Sequence, residues 1–213
     1  METPYICSVF TKTFTGMLES NGVISNGSVM FDGKDITKMN ENELSQIRLN
    51  KMGFIFQQMF MMKNLTILDN ILLPSIENKA DTSDKKTKLA KAENLMRKLG
   101  IIDCADKDIN EVSGGQLQRA CIARSMINNP DILFADEPTG ALNRTSSFEV
   151  MDELSKLNKE GTTIMMVTHD SKVAARCSRV LYIIDGQIAG EFVLNKSEDI
   201  KEREKGLNNW LMN

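Results

Sequence analysis

Four apolar residues, Ile132-Leu133-Phe134-Ala135, run directly into two adjacent carboxylates, Asp136 and Glu137. A short continuous apolar run of this kind is a strand buried on both faces, which places it in a sheet covered by helices. Its acidic end must meet solvent or a cation, because isolated buried carboxylates are costly. Upstream lies Ser113-Gly114-Gly115-Gln116, a side-chain-poor turn followed by residues at helical spacing. A buried strand ending in acids, preceded by a Gly-rich turn and a helix, points to an α/β architecture with a parallel sheet.

The chain has 213 residues, enough for one domain or a domain with a subdomain. Hydrophobic residues make up 41% and charged residues 26%, the balance of a globular protein. The longest apolar candidate, Leu65 to Pro74, is interrupted by Asp69 and Asn70 and is far short of the ~20 residues that span a bilayer. The first residues lack a basic start and a long apolar core, so no signal peptide is expected. A net charge of −3 offers no basic field for nucleic acid, and none is expected as a partner. Cys7, Cys104, Cys121 and Cys177 form no CxxC pair, which fits free thiols in a reducing cytoplasm.

Along the chain, Ser28 to Phe31 reads as a short strand and Asp32-Gly33 as the turn after it. Asn40 with Glu43 predicts a capped helix through about Leu49, and Met52 to Phe56 a strand ending at Gln57. Thr66 to Pro74 reads as a short helix, and Glu77 to Lys88 as a polar, exposed stretch. Leu89, Ala92, Leu95, Met96 and Leu99 recur at helical spacing, with Gly100 as the stop. Gly114 to Asn128 is helical, with Ile122 and Met126 pointing inward. Phe148, Met151, Leu154 and Leu157 mark a helix closed by Gly161, and Thr163 to Val167 is a second buried strand. Val180 to Ile184 and Gln187 to Phe192 form a hairpin around Asp185-Gly186. The last 18 residues read as an exposed, charge-rich helix.

The chemistry of these residues suits a nucleotide site. Nucleotide hydrolysis needs Mg2+ bridging phosphate oxygens and a group that orients the attacking water. Mg2+ keeps several waters, so one protein carboxylate can hold it; Asp136 takes that role and Glu137 the water. Asp, Glu and Pro138 also favour a plain helix start. Glycines at Gly114 and Gly115 let another molecule approach the backbone, and a helix start attracts phosphate. Such a turn also occurs as an ordinary loop. His169, the one histidine of the chain, follows the second buried strand; a lone histidine is otherwise a structural residue.

Taken in order, Phe54-Ile55-Phe56-Gln57, Ser113-Gly114-Gly115-Gln116 with Leu117-Gln118-Arg119 and Ala123-Arg124, Ile132 to Pro138 and Thr168-His169-Asp170 resemble the ATP-binding subunit of ABC transporters. Residues 29–195 carry the resemblance best and look like the branch of lipoprotein-release, macrolide-export and antimicrobial-peptide-resistance ATPases. The resemblance implies a P-loop NTPase-like α/β core with a parallel sheet, all in one domain over residues 1–213, with a helical subdomain at approximately 58–128. It implies ATP and Mg2+ as cofactors, with Glu137 as catalytic carboxylate, His169 as switch histidine on the γ-phosphate, and Gln57 contacting Mg2+ or water. It gives Asp136, Gln57 and Ser8 to Mg2+, and Ser113, Gly114, Gly115, Gln116 and Ser8 to nucleotide. The tetrad reaches the nucleotide of the opposite subunit, so the working unit is a homodimer or heterodimer on a membrane permease, cytoplasmic and peripheral on the inner face of the membrane.

The sequence departs from the family pattern in two places. Asn143 stands where the family usually has the aspartate of its D-loop. Residues 8–28 look more like oligopeptide-importer ATPases, and that alignment puts Ser8 at the Mg2+-binding hydroxyl, Cys7 at the phosphate-binding lysine and Ile6 at the preceding glycine. On this reading the N-terminal strands and phosphate loop are incomplete and the sheet has an open edge. The alternatives are a non-catalytic dimer partner and a recombinant fragment that makes no stable protein.

Overall fold

A computed structural model describes residues 11–17, 22, 24–195 and 197–212; Ile6, Cys7 and Ser8 lie outside them. Among the described residues the central sheet has three parallel strands, β3 (Met52–Ile55), β4 (Ile132–Asp136) and β5 (Thr163–Val167), with β4 in the middle. The hairpin β1 (Met30–Phe31) and β2 (Lys34–Asp35) precedes them and the hairpin β6 (Arg179–Ile184) and β7 (Gln187–Val193) follows. Ile55 pairs with Ala135 and Asp136 with Val167, so the three parallel strands end within one residue of one another. Gln57, Glu137 and His169 therefore leave the sheet at one end, the carboxyl edge where parallel α/β sheets bind ligands.

Seven helices are delimited among the described residues: α1 (Glu41–Lys51), α2 (Ile67–Glu77), α3 (Lys85–Lys98), α4 (Gly114–Met126), α5 (Arg144–Lys159), α6 (Ser171–Ala174) and α7 (Ile200–Leu211). Residues 11–15 are also helical. The start of α1 follows from Asn40 and Glu43, whose side chains cap each other's backbone N–H. The helix runs two residues past the expected end, to Lys51, and passes directly into β3. The expected strand over Met52 to Phe56 stops at Ile55.

Helices α2, α3 and α4 pack together beside the sheet, with α4 lying on β3 and against α5. Ile71, Met96, Ile122 and Leu133 are fully buried in the shared core. Each such side chain contributes about 1.5–3 kcal/mol of transfer free energy. Asn70, which breaks the apolar run at sequence level, is also buried. Its amide accepts from Met62 N–H at 2.8 Å and donates to the carbonyls of Met62, Leu65 and Thr66 at 3.1, 3.2 and 2.9 Å. A buried amide is stable only with its partners present, and here they fix the loop into α2.

Four sequence expectations shift. Pro74 lies inside α2, which continues to Glu77. The polar stretch from Glu77 is not all exposed: Asn78 is buried, and Lys88 ties the Ser75 and Asp81 carbonyls at 2.8 and 3.1 Å. Helix α3 starts at Lys85, capped by Asp84. On α5, Phe148 stays 43% exposed, although Met151, Leu154 and Leu157 are buried as their spacing suggests. The Arg144 and Arg176 guanidiniums each lie over its ring, at 5.8 and 5.5 Å, a cation–π arrangement open to solvent.

The terminal helix also departs from expectation. Leu207 is fully buried, and the Trp210 ring lies 5.4 Å from Phe192 and 6.1 Å from Tyr182 across the last hairpin. A Cβ at Gly190 would stand 2.7 Å from the indole, so glycine is what admits the helix there. Periodicity misses this docking because the charged residues dominate the segment and its partner surface is formed by a different element.

Candidate functional site

Glu137 follows β4 with a left-handed backbone, φ 47°. Its N–H donates to Val167 O at 3.0 Å, so the turn is tied to the end of β5. A non-glycine residue in this region is held there by its surroundings. The result aims the carboxylate across to His169. Glu137 Oε1 receives the His169 backbone N–H at 3.1 Å and lies 2.7 Å from the ring Nδ1. Glu137 Oε2 has a longer contact with the Thr168 hydroxyl, at 3.5 Å. One oxygen is thus committed to His169 and the other keeps acceptor capacity. The carboxylate side chain is 16% exposed and the imidazole 84% exposed, so the acid is sheltered and the ring faces out.

Gln57 arrives at the same place from β3. A Cβ built on Gly140 would stand 3.2 Å from Gln57 Nε2 and 3.5 Å from Glu137 Cβ. Gly140 N–H in turn donates to Glu137 O at 3.0 Å. The amide of Gln57 and the carboxylate of Glu137 therefore share the tight turn at residues 137–140. Asp136, half-buried, ends β4 beside Val167. An aspartate and a glutamine at one strand edge supply the hard oxygen donors that Mg2+ takes.

Ser113, Gly114, Gly115 and Gln116 form the first turn of α4. Ser113 Oγ accepts Gln116 N–H at 3.3 Å and Gln116 Oε1 accepts Ser113 N–H at 2.8 Å, a reciprocal cap. Gly115 is buried against α5: a Cβ there would stand 2.8 Å from Ser146 Oγ and 3.0 Å from Ser146 Cβ. Arg119 continues the contact, its Nη1 2.7 Å from Glu149 Oε2. Asn143 caps α5 by accepting Ser146 N–H at 3.0 Å. The tetrad is thereby packed on the Asn143 turn, not on Glu137. Within one chain the structure unites Gln57, Glu137 and His169, with Asp136 next to them, and sets the tetrad apart on α4. Ser8 lies outside the described residues.

Sequence reading gives no part in the site to five contributors. Thr168 touches Glu137, and Gly140 makes room for Gln57. The backbone on either side of Gln57 is held by α4, before it by Ser125 and after it by Cys121 and Arg124. The last three stand at i, i+3 and i+4, a spacing that marks one helix face; the partner across that face cannot be read from the spacing.

The ABC transporter family model matches residues 7–140. The chain is 42% identical over 191 residues to the bacitracin export ATP-binding protein BceA of Halalkalibacterium halodurans, covering 89% of this chain and 74% of that protein. It is 39% identical over 200 residues to the lipoprotein-releasing system ATP-binding protein LolD of Leptospira interrogans, covering 91% of this chain and 79% of that one. Among solved structures, a dimeric post-hydrolysis state of the ATP-binding cassette MJ0796 bound to ADP and Pi matches with a TM-score of 0.76 at 33% identity, covering 87% of this chain and 81% of that one. With the family model matched over residues 7–140 and two relatives about 40% identical over most of both chains, the chain belongs to the ABC transporter family of ATP-binding cassettes.

Proposed function

We propose that this chain is the ATP-binding subunit of an ABC transporter, pairing head to tail with a second cassette on a separate membrane permease. The observation that carries this reading is the separation of the site into two parts. Glu137, His169 and Gln57 converge at the strand ends, while the tetrad is anchored on the Asn143 turn. A triphosphate at the strand ends needs the tetrad of another copy. Dimeric cassettes among the structural relatives, one holding ADP and Pi, support that arrangement.

In the proposed site, Asp136 and Gln57, with Ser8, would hold Mg2+, which would neutralise phosphate charge. Glu137 uses Oε2 to accept a proton-bearing contact from the attacking water. His169 fixes Oε1 through its backbone N–H and Nδ1, and its exposed ring would leave the other nitrogen to meet the γ-phosphate. The tetrad of the second copy presents N–H groups and a helix N-terminus to the same phosphate. No helix among the described residues is long and apolar enough to cross a membrane; attachment to the inner face through the permease is part of the proposal. So is the division into one domain over residues 1–213 with a helical subdomain at about 58–128.

Mixing two defective chains tests the pairing. Glu137→Gln and Gly115→Val chains, each inactive alone, form mixed dimers with one intact composite site. ATP turnover returns on mixing if the copies exchange tetrads, and a mixture as inactive as its components overturns the arrangement. A second reading, a non-catalytic partner, is favoured by Cys7 at the position of the phosphate-binding lysine and by Asn143. Under it, Glu137→Gln leaves the assembled transporter fully active.

A further inference from the structure

Residues 54–60 run from the end of β3 out of the sheet, carry Gln57 to the Glu137 turn and end at Phe60, whose φ is 42°. Three side chains from one face of α4 hold this segment by its backbone. Ser125 Oγ donates to Phe54 O at 2.6 Å, and Cys121 Sγ lies 3.3 Å from Met59 O. Arg124 spans the last two carbonyls, with Nη2 2.9 Å from Met59 O and Nη1 2.8 Å from Phe60 O. The first turn of the same helix is the tetrad. Helix α4 therefore grips the Gln57 segment at one end and presents the tetrad at the other.

We propose that Arg124 is a positioning residue that joins α4 and the Gln57 segment into one rigid unit, so that a displacement of the tetrad is carried to Gln57 beside Glu137. The inference rests on the reading of Gln57 and the tetrad as parts of one composite site. The guanidinium suits this task because it is planar and always charged, and its fork spans two acceptors at once. Ser125 holds the segment before Gln57 and Cys121 after it, but the thiol is a weak donor. Arg124 also fixes the left-handed turn at Phe60, a conformation that relaxes when its carbonyl is released. Phe60 packs edge-on to Phe56 with ring centroids 5.6 Å apart and is otherwise 64% exposed, so apolar burial alone does not hold the turn.

Amide hydrogen exchange on the full chain tests this without requiring turnover. Arg124→Ala should raise exchange over residues 57–62 by about tenfold or more, as expected for two lost charge-assisted bonds. Arg124→Lys, which can reach one carbonyl, should restore part of the protection. The decisive measurement is a double-mutant cycle with Gly115→Ala, whose new Cβ would stand 2.8 Å from Ser146 Oγ and so loads the contact that seats the start of α4. With Arg124 present that load should alter exchange at residues 57–62, and with alanine at 124 it should not. Additive effects of the two substitutions, or unchanged protection in Arg124→Ala, overturn the proposal. If exchange behaves as expected but ATP is neither bound nor turned over, the site reading fails and the mechanical link stands.

Discussion

Glu137 is held by Thr168 and His169, residues 31 and 32 positions away, whereas Ser113 and Gln116 hold each other across a single helical turn. The two parts of the site are thus built by opposite means. The strand-end cluster exists only because β4 and β5 pair in register and end level. The tetrad forms from its own capping atoms and needs the tertiary fold only for its seat on Ser146. The difference teaches where each part is vulnerable. A strand-end residue fails by losing its chemistry in place, and a tetrad residue fails by losing its seat.

Predictions can break this contrast, beginning with the largest effect. Glu137→Gln should lower ATP turnover by the assembled dimer at least ~100-fold while leaving the thermal transition near that of the parent, since the turn is fixed by backbone bonds. A large loss of stability instead would show that the carboxylate is structural. Gly115→Ala should cost about 1–3 kcal/mol in a denaturant titration. Adding Ser146→Gly should recover most of it, because the clash is with that side chain; no recovery would place the strain elsewhere.

A third test probes the link between the two parts. Burial pushes the Cys121 thiol up from 9.0 to about 11. The folded value is raised above the unfolded one, so the stabilisation is complete below pH 9 and lost as pH rises towards 11. The parent should lose up to about 2 kcal/mol more than Cys121→Ala across that window, read from denaturation midpoints at several pH values. Parallel curves would mean the thiol is not sheltered on α4. The smallest effect is expected for Ser113→Ala, which removes one cap at about 1 kcal/mol and sharpens the contrast by showing how little of the tetrad's stability its own cap supplies.

Much of the fold was legible because local signals and tertiary demands agreed. Asn40 with Glu43, Gly100, the apolar run of β4 and the Asp185-Gly186 turn each act within a few residues. The exposure of Phe148 and the docking of the terminal helix are not legible, for the opposite reason. Whether Phe148 is covered depends on Arg144 and Arg176, and whether Leu207 is buried depends on a hairpin that precedes it. In the candidate site, the order of Glu137, His169 and Gln57 along the chain suggests that they belong together, and the structure brings them to one turn; their roles belong to the proposal. The contacts of Thr168, Gly140 and Arg124 cannot be read from the sequence, because each is made with a residue far away in the chain.

The sequence by itself determined which chemical groups stand at strand ends and helix starts, since hydrophobic runs, caps and turns are settled by near neighbours. Only the tertiary structure decided which of those groups meet. Strand register sets Glu137 against His169, and a glycine-sized gap seats the tetrad on Ser146, beside the Asn143 turn. Register and close approach are relations between segments far apart in the chain, and no local pattern encodes the distance between them.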